Sequence, residues 1–467
     1  MVCMNRRSLL RATAVAGGVA VLPASAARAY AANSKLSLAG IGVGGRGGSH
    51  VESSLAENLV AVCDAVEEAS RHCLRRVAEA EKKDGIVRPP PKVFHDYRAM
   101  LDAMDKEIDA VFVATPDHHH APATLMAMKR KKHVYCEKPL THTIAESRRV
   151  AEVAKEMKVA TQLGNQHRAE EGWRALCEYV WAGAIGGVRE VHVWTDRPGI
   201  PTRPWWPQGG GRPAGEDPVP AGLHWDVWLG PAPVRPYLDT YKSGPFQGKR
   251  VYQPFVWRGW WDFGTGALGD IGCHALSGIY SALKIESAVS VELIRDSGDG
   301  TEEMFPRSSV LRWDIPARAG MPPCAIYWYD GAAYPDRAVA EVASDQPFPE
   351  SGSILVGEKG KLSYSLTHAP RFLGGGGKGF SAPPKTIPRC ESDHFREWVT
   401  AAKGGRPAFS NFVDHAGPLT ELVLLGNLAI RAGVGQKVAW DGKSMRCTNL
   451  PALNALVQRV PRKGWET

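Results

Sequence analysis

Three groups of residues in this chain carry side chains able to move protons or hold anions. Cys136-Glu137-Lys138-Pro139 sets a carboxylate beside an ammonium at the end of an apolar run. An ammonium at the mouth of a sheet can polarise a substrate oxygen or relay its proton. The same two residues can instead form a surface ion pair. Asp270 and His274 are four apart, so on a helix they share one face. A carboxylate that orients an imidazole and raises its pKa makes a general base for a substrate hydroxyl. The bland alternative is a helix-stabilising pair facing solvent. Gly42-Val43-Gly44-Gly45-Arg46-Gly47 fits the G-x-G-x-x-G spacing, in which Gly42 turns the chain, Gly44 admits a pyrophosphate and Gly47 lets helix and strand pack. In a chain with 49 glycines that spacing alone is weak, so its context decides.

The context is a strand–turn–helix–strand order. Residues 36–41 are an apolar run entering the turn, and residues 59–63 are a second run ending at Asp64. Asp64 stands at the separation expected of a carboxylate on the adenosine ribose, roughly 20 residues on. A carboxylate there repels a 2′-phosphate, and Ala65 and Val66 supply no arginine to offset it, so the expected cofactor is NAD rather than NADP. Apolar runs and helix-period segments go on alternating through residue 158, which predicts a doubly wound parallel sheet. Polar clusters sit where its strands should end: Asp64, Thr115-Pro116-Asp117-His118-His119-His120 and Glu137-Lys138. Three adjacent histidines point in different directions and have no ligand-spaced Cys or Asp nearby, so they read as a ligand loop and no metal site is expected.

After residue 160 the pattern changes. A long stretch, 198–254, is rich in Pro, Gly and Trp, and Trp205, Trp206, Trp257, Trp260 and Trp261 fall in or just after it. They read either as core or as faces for stacking on a sugar ring. A helix is expected over 264–283, then β-branched runs at 288–294, 309–315, 325–329 and 353–356, then closing helices over 393–402 and 418–432. The expected architecture is an α/β Rossmann domain (35–159) plus an α+β domain with an open, mainly antiparallel sheet (160–450) and a C-terminal tail (451–467).

Composition narrows the class. A chain of 467 residues with 44% hydrophobic and 23% charged residues is an ordinary two-domain globular protein. Its net charge of +8 is scattered, with no basic stripe for nucleic acid. Nine cysteines without a CxxC pair do not compose a disulfide framework. Residues 1–29 read as a targeting segment. Arg6-Arg7 precede an uncharged apolar run, and Ala27-Arg28-Ala29 offers a cleavage signal. This predicts twin-arginine export to the periplasm or another extracytoplasmic space, with no integral span in the mature chain.

The glycine loop, Ala114 to His120, Cys136 to Pro139, and Asp262-Phe263-Gly264-Thr265-Gly266-Ala267-Leu268-Gly269-Asp270-Ile271-Gly272-Cys273-His274 together resemble the Gfo/Idh/MocA oxidoreductases. The resemblance implies an NAD(P)-dependent enzyme acting on a sugar, inositol or related polyol, in a homo-oligomer (dimer or tetramer). It implies that Lys138 is catalytic and that Glu137 helps hold the nicotinamide side. It also implies that His274 is the acid/base, with Asp270 its substrate or relay partner, and that Thr115, Pro116, His118 and His120 line nicotinamide and ribose. Gly42, Gly44, Gly45, Arg46, Gly47 and Asp64 would complete the cofactor site, with Asn165 beside them; Gln166 and His167 are candidates for substrate hydroxyls. Ser277 departs from the pattern, since the family often has an acid at that position. Export leaves poor access to fresh NAD, so a tightly held, recycled cofactor is expected. Two other readings stay open: a redox-neutral glycosidase that oxidises its sugar transiently, and a non-catalytic NAD-dependent binding or regulatory protein.

Overall fold

The computed structural model describes residues 35–200, 203–318 and 320–466. The segment expected to direct twin-arginine export, residues 1–29, lies outside the described residues. The first half alternates strand and helix: β1 (Ser37–Ile41), α1 (Gly45–Ser54), β2 (Asn58–Cys63), α2 (Glu67–Asp84), β3 (Lys92–Phe94), α3 (Tyr97–Ala103), β4 (Ala110–Val113), α4 (His120–Lys129), β5 (His133–Glu137), α5 (Ile144–Met157) and β6 (Thr161–Gly164). The six strands form one parallel sheet in the order β3-β2-β1-β4-β5-β6, the doubly wound arrangement whose ligands lie beyond the C-terminal strand ends. β6, which the sequence placed at the start of the second domain, pairs with β5 from Val134↔Thr161 to Glu137↔Gly164. The boundary expected at 159 therefore falls one strand early.

Both faces of this sheet are covered, which is why its strands read as continuous apolar runs. Ala39, Ile41, Val111, Val113, Val134 and Cys136 pack against α3, α4 and α5. Leu38, Val62, Phe112 and Tyr135 face α1 and α2, and also Phe395, Trp398 and Val399 of a helix from the far end of the chain, α8. α5 starts at a capping box, Thr143 with Glu146, which satisfies two N–H donors reciprocally.

The second domain is built on α6 (Gly172–Trp181), α7 (Gly266–Ala282), α8 (His394–Ala402) and α9 (Gly417–Ala432) and on strands β7 (Val188–Thr195), β8 (Gly199–Ile200), β9 (Arg203–Pro204), β10 (Ser290–Asp296), β11 (Ser309–Ile315), β12 (Cys324–Tyr329), β13 (Ser351–Gly357), β14 (Gly360–Tyr364), β15 (Arg371–Phe372), β16 (Lys437–Asp441) and β17 (Arg446–Cys447). Apart from the small β8–β9 hairpin, these strands form a nine-stranded sheet, β15-β14-β13-β7-β12-β11-β10-β16-β17. Every pair is antiparallel except β7 with β12. Val191, Val193, Leu311, Trp313, Ile326, Trp328 and Leu355 belong to the continuous core beneath α7 and α9. The Trp313 indole donates to the Leu422 carbonyl of α9 at 3.0 Å.

The long segment before α7 is ordered around its aromatics. Trp228, Tyr237, Tyr252, Trp260 and Phe263 form a core of their own. Trp206 and Trp260 are fully buried, whereas Trp205 is 48% exposed. The tail docks rather than trails: Trp465 is buried, and Arg98 lies over its ring at 3.7 Å. No described helix is long and apolar enough to cross a membrane.

Candidate active site

The glycine loop leaves β1 and enters α1. Gly42 has φ +78, and a Cβ there would meet the Ala114 carbonyl at 2.7 Å; a Cβ on Gly47 would stand 2.0 Å from the Gly42 oxygen. Neither position takes a side chain without moving backbone. No side chain caps the start of α1, so its first turn presents N–H groups and a positive dipole end, the usual seat of a pyrophosphate. The space beside Gly45 is open. Asp64 sits beside this loop. Its Oδ2 accepts from the amides of Val43 (2.9 Å) and Gly44 (3.3 Å), and Oδ1 accepts from Val66 (2.9 Å). Burial pushes its carboxyl up, against the pull of those three amides. The expected ribose ligand therefore also holds the loop in shape.

Across the sheet, Glu137 is buried at the end of β5. It accepts from His50 of α1 and from Gln166, each at 2.7 Å, and Arg46 stands 3.6 Å away. Burial alone would raise its pKa. The His50 hydrogen bond and the charges of His50, Arg46 and Lys138 overcome it and bring it down to about 2. Gly164 is the reason there is room: a Cβ there would meet the Glu137 carboxylate at 2.5 Å. The Thr115 hydroxyl is buried without a partner in the loop after β4. A glycine cradle, an uncapped helix start and an orphaned hydroxyl at the strand ends fit a dinucleotide.

Lys138 reaches across the domain boundary to α7. Its Nζ donates to the Asp270 carboxylate at 2.6 Å and to the Asp270 carbonyl at 2.7 Å. The same carboxylate oxygen accepts from Arg258 Nε at 2.8 Å. Burial works against the Asp270 charge, but Lys138 and Arg258 hold the carboxyl far below its ordinary value. The expected Asp270–His274 pairing is not made. Asp270 turns to its two cations, and His274 keeps a buried Nδ1 with no partner. Burial and the neighbouring Lys138 charge bring the His274 pKa down to about 3, the opposite of the expected rise. Its ring meets His167 edge to face at 5.6 Å. The ensemble is an anchored ammonium beside a neutral imidazole that has a free nitrogen.

Arg258 was not foreseen. It belongs to the Trp-rich stretch, where attention goes to the rings, and its guanidinium lies over Phe255 (4.0 Å) and Trp257 (4.3 Å). The arginine amid those tryptophans was the available signal.

Other expected ligands are committed elsewhere. His118 places Nδ1 3.2 Å from the Phe263 carbonyl and Nε2 3.1 Å from that of Trp228. His120 places its nitrogens on the carbonyls of Pro139 (2.6 Å) and Thr115 (3.0 Å). Both pin main chain, so they shape the cofactor loop from behind. Asn165 is buried in a network: its amide donates to Ser277 (3.2 Å), it accepts from Ser410 (2.5 Å), and Ser277 meets His415 at 2.9 Å. Its side chain serves the docking of α7, and Ser277 belongs to that network rather than to the site. Asp117 accepts from Thr265, the residue before α7, at 2.6 Å, which fixes the loop after β4 to the helix bearing Asp270 and His274.

Residues 36–165 match the family model of the oxidoreductases with an NAD-binding Rossmann fold, and residues 183–304 match that of their C-terminal alpha/beta domain. The chain belongs to the Gfo/Idh/MocA oxidoreductase family. It is 30% identical over 157 residues to an inositol 2-dehydrogenase of Salmonella typhimurium, covering 32% of this chain and 43% of that protein. It is 30% identical over 162 residues to a myo-inositol 2-dehydrogenase of Thermotoga maritima, covering 34% and 45%. The chain thus spans less than half the length of these curated relatives. The fold likeness runs further: the WlbA dehydrogenase of Bordetella pertussis, solved with NADH and UDP-GlcNAcA, superposes over 87% of this chain and 99% of its own with TM-score 0.53 at 15% identity.

Proposed function

We propose that this chain interconverts a secondary hydroxyl and a carbonyl on a sugar, inositol or related polyol, with NAD as its hydride carrier. One observation carries the reading: the Lys138 ammonium is fixed by Asp270, whose carboxylate Arg258 also holds, and His274 within its influence has a buried, unpartnered Nδ1. Gly42, Gly44, Gly47 and Asp64 would hold NAD, which would supply the hydride-accepting and hydride-donating chemistry of its nicotinamide. The protein handles the proton. A substrate hydroxyl satisfies His274 Nδ1 and gives up its proton there, while Lys138 donates to the same oxygen and stabilises its developing charge. Asp270 positions the ammonium, and Arg258 neutralises Asp270 so that it stays a carboxylate. Trp257 and Phe255, which flank Arg258, offer faces to the apolar side of a sugar ring.

NAD is favoured over NADP because the Asp64 carboxylate repels a 2′-phosphate. Export by the twin-arginine route, which residues 5–29 support by sequence alone, makes a retained cofactor part of this reading, and a homo-oligomer is a separate part of it. The test is turnover of the full chain on a panel of inositols and sugars, following nicotinamide absorbance and product, together with mass spectrometry for bound nicotinamide. Lys138→Ala should lower kcat by roughly 10²- to 10⁴-fold, the usual worth of general acid–base catalysis, with cofactor binding retained. Unchanged turnover in that variant would overturn the mechanism. Glycoside cleavage with no net change in nicotinamide absorbance would replace it by the redox-neutral reaction.

A further inference from the structure

Beside Asp64, on the outer edge of the Rossmann domain, three metal-ligating side chains meet that the proposed reaction does not use. Glu67 opens α2, His95 follows β3, and His224 comes from the long segment of the second domain. Their donor atoms lie within 4.8 Å of one another. The two imidazoles stack with centroids 4.2 Å apart and planes 16° from parallel. His224 Nε2 is buried, has no hydrogen-bond partner, and stands 3.4 Å from Glu67 Oε1. His95 Nδ1 sits 3.1 Å from the Asp64 carbonyl. Donation to that carbonyl leaves Nε2 as the ring's lone pair, the arrangement by which metal-bound histidines are oriented. Arg71 occupies the other Glu67 oxygen, Oε2, at 3.2 Å and leaves Oε1 to the cluster.

The backbone has brought these groups together before any ion arrives. Val66 and Leu223 form an antiparallel bridge. The Glu67 amide donates to the Gly222 carbonyl and the His224 amide to the Ala65 carbonyl, both at 2.9 Å. Residues 222–224 are thus laid, through this one bridge, against the residues that enter α2.

We propose that Glu67, His95 and His224 bind a divalent transition metal of the zinc class. Two imidazole nitrogens and one carboxylate oxygen are a donor set that suits zinc, cobalt or nickel rather than magnesium or calcium. The side chains are partly exposed, so small rotations bring them to the ~2.0–2.2 Å that such ions require, and solvent completes the coordination. The ion fastens the 222–224 segment to the Rossmann domain beside the loop that Asp64 shapes. The ligands, at positions 67, 95 and 224, are too scattered along the chain to form a motif, so spacing does not announce them.

The test is calorimetric titration of zinc chloride into the chelator-treated full chain, free of any histidine tag. Wild type should take up one equivalent and gain thermal stability on doing so. Loss of one hydrogen bond behind a metal ligand costs roughly 10- to 100-fold in affinity, so His224→Ala and Glu67→Gln, each removing a ligand, should lose at least that much. Should a variant fail to fold, the cobalt(II) visible spectrum of the wild-type chain decides, because bound cobalt gives ligand-field bands absent from free cobalt in buffer. No uptake by wild type, no such bands, or the same stoichiometry and affinity in His224→Ala would overturn the proposal.

Discussion

At the scale of single residues, the site depends on which groups hold a charge. His274 is kept neutral by burial and by Lys138, with a pKa of about 3, so its base form persists well below the ordinary imidazole value of about 6.5. The kcat/KM profile, which reports the free enzyme, should therefore show no inflection near that value from His274. His274→Gln should lower kcat by roughly 10²-fold or more while leaving cofactor affinity in place. An inflection near the ordinary value that vanishes in His274→Gln would show that the imidazole titrates normally. That Lys138 follows a strand end and that Asp270 and His274 share one helix was legible in the sequence, because apolar runs and helical spacing announce it. Their pairing was not. Spacing puts Asp270 and His274 on one helix face but cannot reveal that Lys138 and Arg258, from two other segments, compete for the carboxylate and win. Asn165 shows the same limit, since the partners that absorb it lie on α7 and near Ser410.

At the scale of elements, strand ends are tied to one another by side chains that sequence reading assigned to ligands. His120 joins the ends of β4 and β5 by facing the carbonyls of Thr115 and Pro139. Burial opposes a charge on its ring, but Cys136, Asp117 and the Pro139 carbonyl outweigh it and raise the pKa to about 9. The sign follows from linkage. A histidine whose folded pKa is raised contributes stability fully present below its unfolded value, about 6.5, and lost as pH rises through about 9. The loss is about 3 kcal/mol in order of magnitude, and His120→Gln should flatten that part of the stability curve measured by denaturant unfolding. Gly47 makes a second case. Alanine there must displace the Gly42 carbonyl, so Gly47→Ala should cost cofactor affinity and lower Tm together, while Gly45→Ala meets no neighbour but strains a backbone at φ +46, so it should lower Tm less. The Rossmann elements were legible, since continuous apolar runs and helix periods name them, but β14 to β17 of the second sheet, short and interspersed with Gly, Lys and Arg, were not. What periodicity could not convey is sheet membership. Thr161–Gly164 reads as a strand on either side of a boundary, and only its pairing with β5 decides.

At the scale of the whole molecule, the two domains are interlocked rather than joined by a hinge. Arg459 donates to Glu146 and to the His118 carbonyl. Arg98 donates to the Gly464 carbonyl and covers Trp465. The tail therefore braces the loop after β4 from outside. Trp465→Ala should destabilise by roughly 3 kcal/mol or more, the usual cost of deleting a buried aromatic, and truncation after Val457 by more still, as read from denaturant midpoints. Equal midpoints for wild type and truncation would mean the tail contributes nothing to the fold. A further consequence concerns synthesis. The sheet face bearing Phe112 and Tyr135 is complete by residue 164, but part of its cover, Phe395, Trp398 and Val399, lies more than 200 residues later. At about 5–20 residues per second, the nascent Rossmann half waits roughly 10 to 50 s with an aromatic face open. A ribosome-bound fragment stopped short of α8 should recruit chaperones that one extended past α8 releases.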